Sequence, residues 1–236
     1  MLKYLFLVYQ WLIAAPLILV VTFVAAVITI IGCIFNDDWF GYYPPKLWAM
    51  TCCILLGVRV KVENRDKIDP NTSYVFVANH QGAFDIFPIY GFLGHKFKWM
   101  MRKGLNNIPV VGFACRQAGH IMVDHSSASA IKKTMSDAQA KMERGNSLVV
   151  FPEGRRSDDG QMQPFKHGAF RLATMFHRPL VPITINGSYK VMPRGTFYVM
   201  PGRITLTIHD PIMSANRSRD LKEVTQQCYD IIKSAL

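Results

Sequence analysis

Residues 5–35 read LFLVYQWLIAAPLILVVTFVAAVITIIGCIF, an uncharged run preceded by a single charge, Lys3. About 20 such residues suffice to cross the hydrocarbon core of a bilayer. The segment therefore meets lipid. A cleaved secretory leader is the competing reading, but the run is far longer than a leader's apolar region. Its basic start is also thin, and no persuasive cleavage site precedes a polar mature start. Pro16 lies inside the run, where it kinks a helix or marks its break. After NDDWFGYYPPK comes a second apolar run at residues 47–58, LWAMTCCILLGV. It is too short to span and fits a re-entrant or interfacial helix, with a core helix of the globular part as the alternative. Trp39, Phe40, Tyr42, Tyr43 and Trp48 suit the headgroup level between the two runs. Residues 1–58 are thus expected to anchor the chain through two helices, the first of which either crosses or lies deep in one leaflet.

Charge is divided as unevenly as hydrophobicity. The whole chain carries +11, and residues 36–236 hold 26 basic against 16 acidic side chains, a net of +10. An anchor joined to a cationic body points to an anionic surface or substrate. The five cysteines are odd in number and three sit among bulky aliphatics, which predicts no disulfides and a reducing compartment. Neither CxxC nor HExxH occurs, so no metal site is expected. Nucleic acid is not an expected partner, because the basic residues are scattered rather than striped.

Beyond residue 58 the pattern becomes that of a soluble α/β domain. Residues 58–63 (VRVKVE) alternate as a half-buried strand does, and residues 74–78 (YVFVA) form a continuous apolar run, as in a strand covered on both faces. Residues 126–144 read as a helix: Ser126 and Ser127 offer caps, Ile131, Met135, Ala138 and Met142 share a face, and Gly145 ends it. A strand at 148–151, a helix at 169–176 stopped before Pro179, and a strand at 180–185 follow. Residues 197–200 and 203–208 are expected to pair as a hairpin around Pro201-Gly202. Leu221, Val224, Cys228, Ile231 and Ile232 place an amphipathic helix at the end. This alternation predicts a mainly parallel sheet flanked by helices over residues 59–236.

The stretch Asn79-His80-Gln81-Gly82-Ala83-Phe84-Asp85 directly follows the strand YVFVA. Five residues along one helix turn two side chains about 140° apart, so His80 and Asp85 could not pair in mid-helix. With His80 in the loop and Gly82 opening a helix, Asp85 falls in the first turn and reaches back to the imidazole. An acid is favoured there by the helix dipole. Asp85 would then fix the tautomer of His80, whose other nitrogen accepts a proton from a hydroxyl. No Ser or Cys stands beside His80 in the motif, so that hydroxyl belongs to the substrate, and acyl transfer is direct. A second polar loop, Phe151-Pro152-Glu153-Gly154-Arg155-Arg156-Ser157, also leaves a buried strand, and strand ends are where open α/β sheets hold ligands. Arg155 and Arg156 suit a phosphate, Gly154 admits close backbone approach, and Glu153 is read as orienting the arginines.

With Gly119-His120-Ile121-Met122-Val123-Asp124 between these loops and Val181-Pro182-Ile183 beyond them, the ordered motifs resemble those of the glycerolipid acyltransferases. The nearest likeness is to the bacterial lysophosphatidate acyltransferases, over residues 60–211. The resemblance implies that His80 is general base for the 2-hydroxyl of lysophosphatidate, with Asp85 as its partner. It further implies a glycerophosphate site at Glu153, Gly154 and Arg156, and an acyl thioester on coenzyme A or acyl carrier protein as co-substrate, with no other cofactor. Arg102 and Lys103 match a basic stretch of the family and are further phosphate candidates, while Gly119, Asp124 and His125 support the second motif. Two positions depart from the family: His125 and Arg155 stand where Arg and Thr or Ser are usual. Arg is permanently charged and an imidazole is not, so Arg155 is expected to return the charge lost at 125.

The expected setting is a bacterial-type inner membrane, with the body on the cytoplasmic side. A different acceptor, such as a lyso-aminolipid or glycerol 3-phosphate, is the alternative within the fold. A lipase or thioesterase lacks its GxSxG elbow here, and a non-enzymatic membrane adaptor would leave both motifs unused. His95, His120, His167, His177 and His209 belong to no motif and are read as structural or surface residues. Phe84, Phe87 and Phe92 are read as packing the helix after the catalytic loop.

Overall fold

The strand YVFVA is buried on both faces because each face meets a different layer. Val75 and Val77 join a cluster with Leu148, Leu180, Phe170 and Cys228, whereas Phe76 and Ala78 join another with Ile183, Leu206, Ile89 and Ala49. The alternation of side chains along a strand divides the two cores. The computed structural model describes residues 2–213 and 220–236.

In chain order the helices are α1 (Leu2–Tyr9), α2 (Ala15–Gly32), α3 (Asp37–Phe40), α4 (Tyr43–Leu55), α5 (Ile86–Phe92), α6 (Val111–Gln117), α7 (Ala128–Glu143), α8 (Gly168–Met175), α9 (Ser188–Val191) and α10 (Leu221–Ser234). The strands are β1 (Val58–Glu63), β2 (Val75–Ala78), β3 (Phe97–Arg102), β4 (Ile121–Val123), β5 (Ser147–Val150), β6 (Leu180–Asn186) and β7 (Gly202–Ile208). They form one sheet in the order β1-β7-β6-β2-β5-β3-β4, parallel at every pairing except β6 with β7. The mainly parallel sheet flanked by helices is as expected.

Two strands escaped the sequence reading. β3 contains Lys98, which is buried and donates to the Ala118 carbonyl at 2.9 Å, so its apolar pattern is broken by a charge. β4 has only three residues. The expected hairpin is absent. β7 is already paired on both sides, antiparallel to β6 (Ile183 opposite Ile208) and parallel to β1 (Val58 opposite Gly202), so no edge is left for residues 197–200.

Those residues are bound instead to the apolar N-terminal helix. A π-helical turn, Gln10–Ala14, links α1 to α2 and ends just before Pro16, so the helix continues through an irregular turn at the proline instead of breaking there. Gln10, only 4% exposed, donates from Nε2 to the Phe197 carbonyl at 3.0 Å and accepts the Val199 N–H at 2.8 Å. Further along the same face, Ala14, Ala26 and Thr29 are buried, and Trp48 of α4 donates from Nε1 to Thr22 Oγ1 at 2.8 Å. From Gln10 to Gly32 this stripe is roughly 33 Å long at 1.5 Å per residue. The rest of the helix turns outward: Leu12, Leu19, Val20, Phe23 and Ile31 are exposed, although Tyr4–Gly32 is long and apolar enough to cross a membrane. Replacing Gln10 by Leu leaves the buried Val199 N–H and the Phe197 carbonyl without these partners. The expected loss is about 1–3 kcal/mol of stability, measurable as a lower melting point in detergent.

The second apolar run forms α4, which begins at Tyr43, earlier than the run itself, because Pro44 and Pro45 occupy the first turn, where proline is tolerated. Ala49, Cys52 and Cys53 are buried, while Leu47 and Ile54 are exposed. One face therefore belongs to the core. Of the aromatics assigned to the headgroup level, Tyr42 is instead buried, its ring 6.0 Å from that of Phe97, and Trp39 remains exposed.

Candidate active site

β2 ends at Ala78, and the next two residues turn the chain over the carboxyl end of the sheet. Asn79 takes the place of a further strand residue: its side chain accepts the Ile185 N–H at 2.7 Å and donates to the Ile185 carbonyl at 2.9 Å. This clamp to β6 fixes the start of the loop. A 3-10 turn, Ala83–Asp85, then leads into α5. Asp85 closes that short turn, one residue before the α-helix begins. Its Oδ2 accepts the Gly82 N–H at 2.9 Å and lies 2.7 Å from His80 Nδ1. Asp85 is 0% exposed. A buried carboxylate only accepts, so His80 carries its proton on Nδ1 and keeps the lone pair on Nε2. The imidazole stacks on Phe151 with centroids 4.0 Å apart and planes 9° apart, and Phe151 stacks in turn on Trp99 at 5.4 Å. Ring plane and tautomer are both set before any substrate arrives. Among the described residues, no Ser, Thr or Cys side chain hydrogen-bonds to His80.

Glu153 stands at the end of β5, adjacent to β2. It is 3% exposed, and both oxygens are used by backbone: Oε1 accepts the His80 N–H at 2.6 Å and Oε2 accepts the Gln163 N–H at 2.8 Å. The arginines receive neither oxygen, so the expected orienting contact is absent. Burial raises the Glu153 carboxyl to about 7, against the lowering effect of the two accepted bonds. A buried acid beside the loop repels a phosphate when ionised. Its geometry is that of a brace between the two loops, completed by the Ser157 N–H, which donates to the His80 carbonyl at 2.9 Å.

Gly154 follows with φ of +75°, the left-handed region, where a Cβ would also meet Lys166 Nζ at 2.7 Å. Glycine is the residue that takes this turn without steric cost. Arg155 and Arg156 project from the exposed part of the loop. Arg155 lies 3.5 Å from Asp158, while Arg194 binds the same Asp158 at 2.6 Å and donates to the Arg156 carbonyl at 2.9 Å. The Arg156 guanidinium forms no ion pair among the described residues.

Arg102 ends β3, beside β5, and so lies at the same edge of the sheet as His80, with β5 between them. Lys103 pairs with Asp124 Oδ2 at 2.7 Å. That bond, with the Ser126 N–H, holds the Asp124 carboxyl well below the usual carboxylate range. His125 is exposed just beyond β4. Gly119 stands apart from these residues. With φ of +75° it makes the turn into β4 at the opposite end of the sheet.

Of the remaining histidines, His177 is exposed after α8 and the other four hydrogen-bond within the fold. His120 accepts the Trp99 N–H at Nδ1 and meets the Tyr90 hydroxyl at Nε2, 2.8 Å away, and burial with Lys98 nearby holds it down to about 3. His95 bridges the carbonyls of Thr72 and Lys96, His167 meets Thr225 and His209 meets Thr184. Phe84 is fully buried, with its ring 4.5 Å from that of Phe87. Sequence reasoning missed the Phe151–Trp99 stack, Arg194 and the Gln163 amide. The aromatic letters at 99 and 151 were the only available signal, since a backbone partner leaves none.

The site thus presents a strand-end imidazole oriented by a buried carboxylate, with no hydroxyl or thiol side chain bonded to it among the described residues. Comparison with known proteins shows the family. The family model described as Acyltransferase matches residues 59–186, and the chain belongs to that family. The chloroplastic 1-acyl-sn-glycerol-3-phosphate acyltransferase BAT2 of Brassica napus is 34% identical over 179 residues, which cover 73% of this chain and 50% of the relative. The alpha 1-acyl-sn-glycerol-3-phosphate acyltransferase of Mus musculus is 31% identical over 178 residues, covering 74% and 62%. The chain thus spans about half the length of the first of these relatives and less than two thirds of the second. The solved 1-acyl-sn-glycerophosphate (LPA) acyltransferase of Thermotoga maritima shares the fold, with a TM-score of 0.77, 24% identity and 93% of each chain covered.

Proposed function

We propose that this chain transfers an acyl group from a thioester, on coenzyme A or acyl carrier protein, to the 2-hydroxyl of lysophosphatidate, giving phosphatidate. The observation that carries this reading is the 2.7 Å contact between His80 Nδ1 and the buried Asp85, which leaves Nε2 as the acceptor of a proton. In the step, Nε2 takes the hydroxyl proton while the oxygen bonds to the thioester carbon. As the carbon–sulfur bond breaks, the thiolate leaves with that proton. Asp85 offsets the charge of the transient imidazolium.

Arg156 and Arg155, with Arg102 at the neighbouring strand end, are proposed to hold the phosphate, and Lys103 and Asp124 to form the rim beside them. Glu153 and Gly154 contribute through the shape of the loop. Gly119 and His125 support the second motif, with Arg155 supplying a charge that His125 holds only when protonated. Arg156→Ala is expected to raise the KM for lysophosphatidate about tenfold or more, the loss of one charge-assisted contact, with little change in kcat. Initial rates against lysophosphatidate, a lyso-aminolipid, a lysophospholipid with a larger headgroup and glycerol 3-phosphate test the acceptor. Preference for an uncharged acceptor would overturn the phosphate assignment.

Residues 1–58 are proposed to anchor the chain and residues 59–236 to carry the chemistry. Along one face from Gln10 to Gly32 the apolar helix is packed against residues 197–199 and α6 of the body and against α4. A helix standing across the membrane would carry that body into the hydrocarbon, so we infer that it lies within one leaflet, its outward face in lipid. The inner membrane and its cytoplasmic side are the proposed location, where thioester donors are made.

A further inference from the structure

The segment between β3 and α6 exposes several apolar side chains on a tightly built backbone. A 3-10 turn, Lys103–Asn107, leads to Val110, which has a positive φ. For a β-branched residue that is a marked departure from the allowed backbone regions. The Val111 N–H donates to the Pro109 carbonyl at 2.6 Å, closing a three-residue turn of the strained sense. At Gly112 a Cβ would lie 2.3 Å from the Asn106 carbonyl oxygen, so the loop folds back hard on itself. Strain of this kind costs about 1–3 kcal/mol and persists where the surroundings enforce it.

The construction displays four apolar side chains. Leu105, Ile108, Val110 and Phe113 are 43%, 45%, 37% and 41% exposed, and none of them packs against either core. Cations surround them. Arg102 and Lys103 are exposed at the start of the segment, and the Arg116 guanidinium lies 5.2 Å from the Phe113 ring centroid and hydrogen-bonds to Asn106. α6 packs against α2, whose outward residues are apolar, so the loop leads into a helix that lies beside the anchor helix. It also begins at the strand edge that carries His80 and Glu153.

We propose that residues 103–113 are a second lipid-contacting element, which inserts into an anionic bilayer surface and holds the rim of the active site against it. The occupant is a membrane rather than a protein because the apolar patch adjoins a helix packed on the apolar anchor and its surrounding charge is positive. Leu105, Ile108, Val110 and Phe113 enter among the acyl chains, while Arg116 meets headgroup phosphates. A lysolipid in the same leaflet then reaches the base without leaving the bilayer. This last consequence rests on the proposed acyltransfer.

Full-length Ile108→Cys labelled with an environment-sensitive fluorophore tests insertion without turnover, compared with a label at Lys132→Cys on exposed α7 and with the labelled parent chain as background. Vesicles of phosphatidylglycerol and phosphatidylcholine should shift the emission at 108 to the blue, and lipid-borne quenchers should reduce it, with neither effect at 132. An unshifted label at 108 overturns the proposal, as does a shift that needs no vesicles and grows with protein concentration, the mark of self-association. In the second arm, Ile108→Asp should lower acylation of vesicle-borne lysophosphatidate about tenfold, the loss of one buried aliphatic side chain. The rate on a monomeric short-chain acceptor should stay within about twofold. Equal losses on both acceptors overturn the proposal. Inactivity of the parent chain would sink the acyltransfer reading alone, because the label reports independently.

Discussion

His80→Ala is expected to lower acyl transfer by about 100- to 10,000-fold, the usual contribution of a positioned base, while melting point and membrane association stay near those of the parent. The loop backbone is held without the side chain, by the clamp of Asn79 to Ile185 and by the His80 backbone, which Glu153 and Ser157 bind, and the Gly82 N–H still meets Asp85. The truncation therefore removes a proton acceptor and leaves the loop in place. Asp85→Asn should separate orientation from charge. Its amide oxygen still accepts from Nδ1 and from Gly82, but it no longer stabilises an imidazolium, so kcat falls with little change in KM. Parent-like turnover in His80→Ala would refute the base assignment.

Glu153→Leu should have the largest effect on stability at the site. The His80 and Gln163 N–H groups lose their acceptor inside the protein, and each orphaned donor costs about 1–3 kcal/mol. Both loops are expected to loosen, with activity lost alongside stability. Glu153→Gln keeps one of the two acceptor oxygens and does not titrate, so it serves as a reference whose stability is free of this carboxyl's pH dependence. Burial raises this carboxyl from 4.5 to about 7, so the folded state binds its proton more tightly than the unfolded state. A raised value stabilises fully below about 4.5, and that contribution is lost as pH rises through about 7. Between pH 5 and 8 the parent should therefore lose stability relative to Glu153→Gln, by on the order of 3 kcal/mol at the upper end. Denaturant unfolding of both chains across that range gives the difference directly. A constant difference would mean that the carboxylate is already ionised at pH 5.

Much of this molecule was legible where side-chain pattern and backbone demand coincide. YVFVA needs two covering layers, and Ser127 caps α7 by accepting the Ala130 N–H at 3.1 Å. The five-residue spacing of His80 and Asp85 fits a turn and not a helix. Legibility failed where one partner was backbone. Glu153 gave no sign of its amide partners, and the proximity of two arginines suggested another role. The anchor's packing face was hidden for a different reason: Ala14, Ala26, Thr29 and Gly32 have little hydrophobic weight, so the larger residues around them dominate the pattern. Small residues let the helix approach the body closely, and Gln10 supplies the polar latch. β3 was obscured by Lys98, whose ammonium finds a helix-end carbonyl inside the protein.

The central claim is direct transfer to a lysolipid hydroxyl. The most direct measurement follows the label from a radioactive acyl thioester, with the purified full chain in detergent, with and without lysophosphatidate. The account predicts that label appears in phosphatidate only when lysophosphatidate is present, with none on the protein and negligible free fatty acid. Fatty acid released at a comparable rate without acceptor, or label retained covalently on the chain, would contradict it.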